Sequence, residues 1–395
     1  MDHPDPLCVG IMRVQAQSLY RPPIRTSLPQ LGMPELSARS IEVDVSVKRV
    51  FHTLDGLRGI AALGVVVFHM PYFFAPLAAP GGYLAVDLFF MMSGVVLAHA
   101  YEARFRAGMK IRDFMRVRAI RLYPLYLLGT IFGAIVAVAS LQGHNVDGWD
   151  ASRLMLALSL ALFFLPNPTG RPNDQLYPLN IPCWSLFFEI LINFLFVVCW
   201  RALTSRLLMA ICVLTGCAVG AAIAHRGNID QGSTAAAFLP GIARTAFGFC
   251  VGILIARRVS KPPRKSNLGF LAIAALVVIV IAGSPSGEWR AFWDAAAVLL
   301  IFPLIVLLGT RVDPSAWLRS IATFLGVTSY AIYVLHSPIS AVLHSLVRQR
   351  IFALDAAAGA PYLGVTIVAA LLAGCGLADR YLDGPVRRML TRRLR

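Results

Sequence analysis

The segment Asp55-Gly-Leu-Arg58-Gly-Ile-Ala-Ala-Leu-Gly-Val-Val-Val-Phe-His69 sets an arginine and a histidine eleven residues apart in an otherwise apolar stretch. Eleven residues are about three helical turns, so the two side chains share a helix face, roughly 16 Å apart along the axis. Ionisable groups inside a membrane span are functional candidates by default. A neutral imidazole in a dry interior can take a proton from a hydroxyl. A guanidinium can clamp a phosphate or a carboxylate through two hydrogen bonds. Each residue also has a plainer use, His69 in packing and Arg58 as a cytoplasmic anchor paired with Asp55.

Three further groups could join this pair. Arg116, Arg118 and Arg121 lie in Phe114-Met-Arg-Val-Arg-Ala-Ile-Arg-Leu-Tyr-Pro124. They read either as an amphipathic helix on anionic lipid or as a site for a phosphate-bearing cosubstrate. Ser185, Glu189 and Asn193 repeat every fourth residue and form a polar stripe on an apolar helix. An unpaired carboxylate there is costly, so Glu189 needs a partner. The intramembrane Arg244 is the expected one, in a structural bridge, unless Glu189 faces a cavity and works on a substrate or orients a histidine. Asp87 and Ser93 offer polar contacts near the same depth. Late in the chain, Tyr333 and His336 share a face at i+3 just before Pro338, either as core packing or as support for a site.

The elements that position these residues follow from composition. The 395-residue chain is 57% hydrophobic and 14% charged, with a mean hydropathy of +0.69. That excludes a soluble domain, and repeated apolar runs of about twenty residues make an all-α polytopic membrane protein. The net charge of +16 sits in short loops, where it sets topology, and no nucleic-acid partner is expected. Residues 1–50 show no apolar signal region and read as a flexible cytoplasmic tail, with Met33 an alternative start and the first span its own insertion signal. The membrane domain covers 51–390, and 391–395 form a basic tail. Cys199, Cys212, Cys217, Cys250 and Cys375 lie in apolar segments as small hydrophobes, without metal-ligand spacing, so no metal is expected.

The most basic loop, from Arg104 to Arg121, belongs inside, so the first span, about Gly59–Phe74, runs outward and holds His69 near mid-depth. The twelve apolar residues Leu154–Leu165 are too few to span and are expected to form a re-entrant or interfacial helix. The remaining loop charges then give about ten transmembrane helices with both termini cytoplasmic. Glu189 falls in the outer half, where contact with His69 is the expectation.

Several motifs occur in one order: Arg58-x10-His69, Phe89-Phe-Met-Met-Ser93-Gly94, the Arg116/Arg118/Arg121-Leu-Tyr-Pro run, Trp184-Ser185-Leu-Phe-Phe-Glu189, Arg244 with Gly248 and Gly252, and Ser329-Tyr-Ala-Ile-Tyr-Val-Leu-His336. Together they resemble the acyltransferase-3 family of integral-membrane acyltransferases, over about residues 51–390. The resemblance implies about ten core spans in a bacterial inner membrane. It also implies transfer of an acyl group, usually acetyl, from cytoplasmic acyl-CoA to a hydroxyl, commonly on a cell-surface or secreted glycan or its lipid-linked precursor. It makes His69 the catalytic candidate, Arg58 its motif partner, the basic run the acyl-CoA contact and Glu189 the outer acidic residue. Asp383-Gly-Pro385 departs from the family's Glu before Pro, so no role is carried there. The extracytoplasmic hydrolase-like domain of some relatives is not expected. A transporter or flippase of a glycan or lipid, using the same charges as a relay, is the alternative.

Overall fold

The computed structural model describes residues 49–142, 148–169, 174–348 and 359–392. The expected tail 1–48, the alternative start Met33, parts of the loops 142–150, 166–182 and 347–361, and residues 393–395 lie outside the described residues. The described residues are mostly helical: α1 (His52–His69), α2 (Pro71–Phe74), α3 (Ala85–Arg106), α4 (Ile111–Gln142), α5 (Ala151–Leu162), α6 (Cys183–Cys199), α7 (Ser205–Arg226) and α8 (Phe238–Arg258). It continues with α9 (Asn267–Ala282), α10 (Trp289–Ala296), α11 (Phe302–Gly309), α12 (Ala316–Arg348), α13 (Tyr362–Ala378) and α14 (Gly384–Arg392). A π turn at Ala297–Ile301 joins α10 to α11, and another at Asp379–Asp383 joins α13 to α14. Among the described residues, seven helical stretches are long and apolar enough to cross a membrane, and α5, α6 and α9 are shorter apolar helices. The protein is a multi-pass membrane protein.

The first segment differs from its expected bounds. The helix begins at His52 and ends at His69. Pro71 opens α2 and disfavours helical geometry at Met70, so the chain turns there. His69 is therefore the last residue of α1 and exposed. The short helix α5 starts three residues before the expected Leu154 because Asp150 caps it, accepting from the Arg153 N–H at 2.8 Å and the Ser152 hydroxyl at 2.6 Å. These bonds hold the Asp150 carboxyl below its ordinary range.

Small residues set the closest helix crossings, as expected where lipid offers no apolar driving force between helices. At Gly94 of α3 a side chain would meet the Phe249 backbone of α8, and at Gly252 of α8 it would meet the Met91 backbone of α3. Gly59 of α1 faces the Leu325 backbone of α12 in the same way. These two crossings bring Asp87 to Arg244 and Arg58 to Ser329.

α4 has 32 residues, about 48 Å of helix against a hydrocarbon core of about 30 Å. Its arginine-rich first turns therefore extend beyond the apolar part. At one end of the bundle, Thr53 at the start of α1 donates to the Val312 carbonyl at 2.7 Å, and Arg49 donates to Lys261 O at 2.9 Å and Thr310 O at 2.6 Å. Two-residue strands there, β1 (Arg264–Lys265) and β2 (Val312–Asp313), pair in parallel. The two basic loops expected on the same side are thus joined directly. The loop before α3 meets the end of α9 through Gly81 N–H to Ile281 O at 2.9 Å.

Candidate functional site

The Arg58 half of the opening pair faces a cavity of about 320 Å³. It is walled by α1, α3, α4, α6, α12 and the C-terminal helical segment. Polar residues on its lining are Arg58, Ser93, Arg118, Arg121, Ser185, Glu189, Ser329, Tyr330, Tyr333, Asp379 and Arg387. The rest is apolar, including Val86, Phe89, Phe90, Met92, Val96, Leu97 and Leu186. A concave pocket that sets convergent polar groups beside an apolar wall can serve as a small-molecule site.

Each arginine is held differently. Arg58 donates to Asp55 at 2.9 Å, Ser329 Oγ at 3.0 Å and Gly326 O at 3.0 Å. The plainer reading of an Asp55 pair is therefore real, and it coexists with exposure to the cavity. Arg118 is 5% exposed at its side chain and donates to Glu189 at 2.7 Å. Its Nε has no hydrogen-bond partner among the described residues. Ser93 donates to the same Glu189 oxygen at 3.1 Å. Arg121 is exposed and, among the described residues, has no ion pair or hydrogen bond. Arg116 lies off the cavity, half-buried, 3.9 Å from Asp113.

The expected Glu189–Arg244 bridge is not formed. Arg244 instead grips Asp87 with both edges of the carboxylate, at 3.0 and 2.6 Å, and both side chains are buried. Its remaining donors reach Gln231 O at 2.5 Å and Tyr83 O at 3.2 Å, and the guanidinium stacks 5.5 Å from the Trp184 ring centroid. Tyr83 in turn donates to buried Asp294 at 2.6 Å, which also accepts from the Ile229 N–H at 2.9 Å. The reason for the exchange is helix register. The α3–α8 glycine crossing turns Asp87 toward α8, while Ser93, six residues on, faces α6 and the cavity. Asp87 and Ser93 therefore serve different partners. Of the stripe on α6, Ser185 and Glu189 line the cavity, and Asn193 is buried.

Glu189 does not contact His69 either. His69 has a different partner, His336, which is fully buried. His336 Nδ1 lies 2.8 Å from Tyr333 O and 3.2 Å from Ile332 O. Carbonyl oxygens only accept, so Nδ1 carries the hydrogen and Nε2 of His336 is left with a lone pair. His69 Nδ1 lies 2.9 Å from Val65 O and 3.3 Å from His336 Nε2. Both neighbours are acceptors, so His69 also has its hydrogen on Nδ1, and its Nε2 is the free basic nitrogen.

Tyr333 connects the two halves. It lines the cavity, shares a hydrogen bond with Ser185 at 2.7 Å, and precedes His336 by one helical turn. Pro338, inside α12, has no N–H to offer the carbonyl four residues back, that of Val334. Asn180 supplies the missing donor, its Nδ2 lying 2.9 Å from Val334 O. This keeps α12 intact through the histidine. Sequence reasoning missed Asn180, although Pro338 signals an orphan carbonyl. It also missed Asp379 and Arg387, for which distance along the chain gave no signal.

The arrangement can bind an anionic group beside an apolar chamber and present a basic imidazole beyond it. The comparisons with known proteins identify the family. The acyltransferase-3 family model, described as an acyltransferase domain, matches residues 51–379. The chain belongs to this family of membrane acyltransferases. It is 41% identical over 152 residues to protein 2 in the picA locus of Rhizobium radiobacter, covering 36% of this chain and 78% of that protein. It is 26% identical to acyltransferase MdmB of Streptomyces mycarofaciens over 86% of this chain and 92% of that one. It is 23% identical to the peptidoglycan O-acetyltransferase OatA of Listeria monocytogenes, over 85% of this chain and 56% of that one. No solved structure matches.

Proposed function

We propose that this protein is an acyl-CoA-dependent O-acyltransferase of a bacterial inner membrane, with about ten spans and cytoplasmic termini. It transfers an acyl group, acetyl in this reading, to a hydroxyl of a cell-surface or secreted glycan or its lipid-linked precursor. The observation that carries the reading is the arginine-lined cavity whose wall includes Tyr333, one helical turn before His336, the partner of His69. The OatA relative, a peptidoglycan O-acetyltransferase by name, supports a glycan acceptor.

In this mechanism Arg58, Arg118 and Arg121 draw the phosphate end of the donor to the basic end of the cavity, and the apolar wall takes the pantetheine and acyl part. His69 Nε2 takes the proton of the acceptor hydroxyl as its oxygen bonds to the thioester carbonyl carbon. The carbon–sulfur bond breaks, and His69 returns the proton to the leaving sulfur. While His69 is cationic, its Nδ1–H donates to the His336 Nε2 lone pair, which steadies the charge without a carboxylate. A route in which His69 carries the acyl group itself uses the same free nitrogen. Glu189 fixes Arg118 and Ser93 on the cavity wall rather than orienting the imidazole.

The test is to incubate membranes carrying the protein with radiolabelled acetyl-CoA and follow base-labile label on glycan. Wild type labels the glycan. His69→Ala, present in the membrane at wild-type amount, loses at least about a thousandfold of the rate, the scale of losing a general base or nucleophile. Wild-type transfer by His69→Ala would sink the assignment. Movement of unmodified glycan with no label would favour a flippase.

A further inference from the structure

The motif Asp383-Gly384-Pro385 has no part in the chemistry above, yet it lies where the chain's last helical segment meets the cavity. Asp379 and Arg387 both line that cavity. In an unbroken α-helix, residues eight apart lie about 80° apart around the axis. The π turn at Asp379–Asp383 acts as a one-residue insertion and takes back about 100°. Asp379 and Arg387 thereby come onto one face, the face that closes the cavity.

Arg387 is anchored rather than adrift. It forms an ion pair with Asp383 one turn earlier, and the two partners are unequally placed. The Asp383 side chain is 1% exposed and that of Arg387 31% exposed. The carboxylate is thus the fixed part, and the guanidinium is the part that reaches out. Asp383 is also within electrostatic reach of Arg121, the cavity arginine that has no carboxylate partner among the described residues. Gly384 fits the same picture, because a side chain there would press on the Asp379 carbonyl.

We propose that Arg387 is a phosphate ligand of the donor cavity, held in place by Asp383, and that it forms with Arg121 a cationic mouth for the nucleotide end of the donor. A part-exposed guanidinium on a cavity wall that also carries a second guanidinium suits a diphosphate or phosphomonoester. The proposal rests on the acyl-CoA reading. It adds that the donor site is incomplete without the end of the chain, since α1, α4 and α14 each supply one side.

The test compares two donors in purified protein reconstituted in vesicles: acetyl-CoA, and acetyl-pantetheine, which has the thioester but no phosphate. Arg387→Gln is expected to raise KM for acetyl-CoA about tenfold, the loss of one charge-assisted contact, with kcat within about twofold and no change for acetyl-pantetheine. Arg387→Lys keeps a point charge and recovers part of the KM. Asp383→Asn is expected to raise KM for acetyl-CoA about threefold, because the guanidinium loses its anchor. An equal loss with both donors would make Arg387 structural and overturn the proposal, as would an unchanged KM for acetyl-CoA. An effect present in vesicles of anionic phospholipid but absent in zwitterionic ones would assign Arg387 to lipid headgroups and overturn it too. Wild-type protein that uses neither donor would instead sink the acyl-CoA reading itself.

Discussion

Arg244 and Arg118 both sit inside the helical bundle and both face a carboxylate, but only one of the two pairs is closed. Arg244 and Asp87 are 0% and 1% exposed, every guanidinium nitrogen is bonded, and a tryptophan ring covers the rest. Arg118 and Glu189 are 5% and 20% exposed, border a cavity, and leave the Arg118 Nε unbonded. A fully satisfied pair holds elements together and has nothing left to offer a ligand. The Arg118–Glu189 pair instead stands on a cavity wall, with Glu189 part-exposed to whatever the cavity holds. Intramembrane charge alone does not mark the site; position on the cavity wall does.

The comparison can be broken from either side, beginning with the closed pair. Asp87→Ala leaves Arg244 charged and unpaired in a dry interior, and about 3–5 kcal/mol of stability should be lost. Thermal unfolding in detergent should show little folded protein left. The double change Asp87→Leu with Arg244→Met removes both charges and should recover most of that stability, since well-packed apolar replacements of buried pairs are often neutral. If Asp87→Ala melted like wild type, the pair would not be the clamp described.

At the open pair the ranking should reverse. Glu189→Gln should cost about a hundredfold in transfer, roughly 2.7 kcal/mol of transition-state stabilisation, through misplacement of Arg118 and Ser93. Its melting temperature should stay near that of wild type, because the cavity lets Arg118 reach water. A large drop in melting temperature with proportional loss of activity would make this pair a second clamp. Smaller again is Arg121→Gln, expected to raise KM for acetyl-CoA about tenfold through loss of one phosphate contact. Arg116→Gln, off the cavity and half-buried beside Asp113, should change KM less than twofold, which titration of the donor would reveal.

The two pairs also show how far sequence reasoning reaches. The costly residues were legible, because an Arg, Asp or Glu in an apolar helix is conspicuous by composition alone. Their pairing was not, because it depends on which way α3 faces. Asp87 and Ser93 differ by six residues, about a third of a turn from register, and the Gly94–Gly252 crossing decides which helix each one meets. The same limit applied to His69. Its distance from Arg58 was fixed by helical rise, but its place at the end of α1 depended on Pro71 ending the helix.

The sequence by itself determined the class of protein and its largely helical character, and it singled out Arg58, His69, Glu189 and the Tyr333–His336 turn as candidates. Those features follow from hydropathy, charge and periodicities of a few residues, which are local in the chain. Only the tertiary structure decided who pairs with whom. It put Arg118 rather than Arg244 on Glu189, His336 rather than Glu189 on His69, and Asn180 on the carbonyl left open by Pro338. It also brought Arg387, near the chain's last residues, to a cavity begun by Arg58. Such contacts join residues far apart in the chain, and they are set by the rotation and crossing of packed helices, which no local pattern encodes.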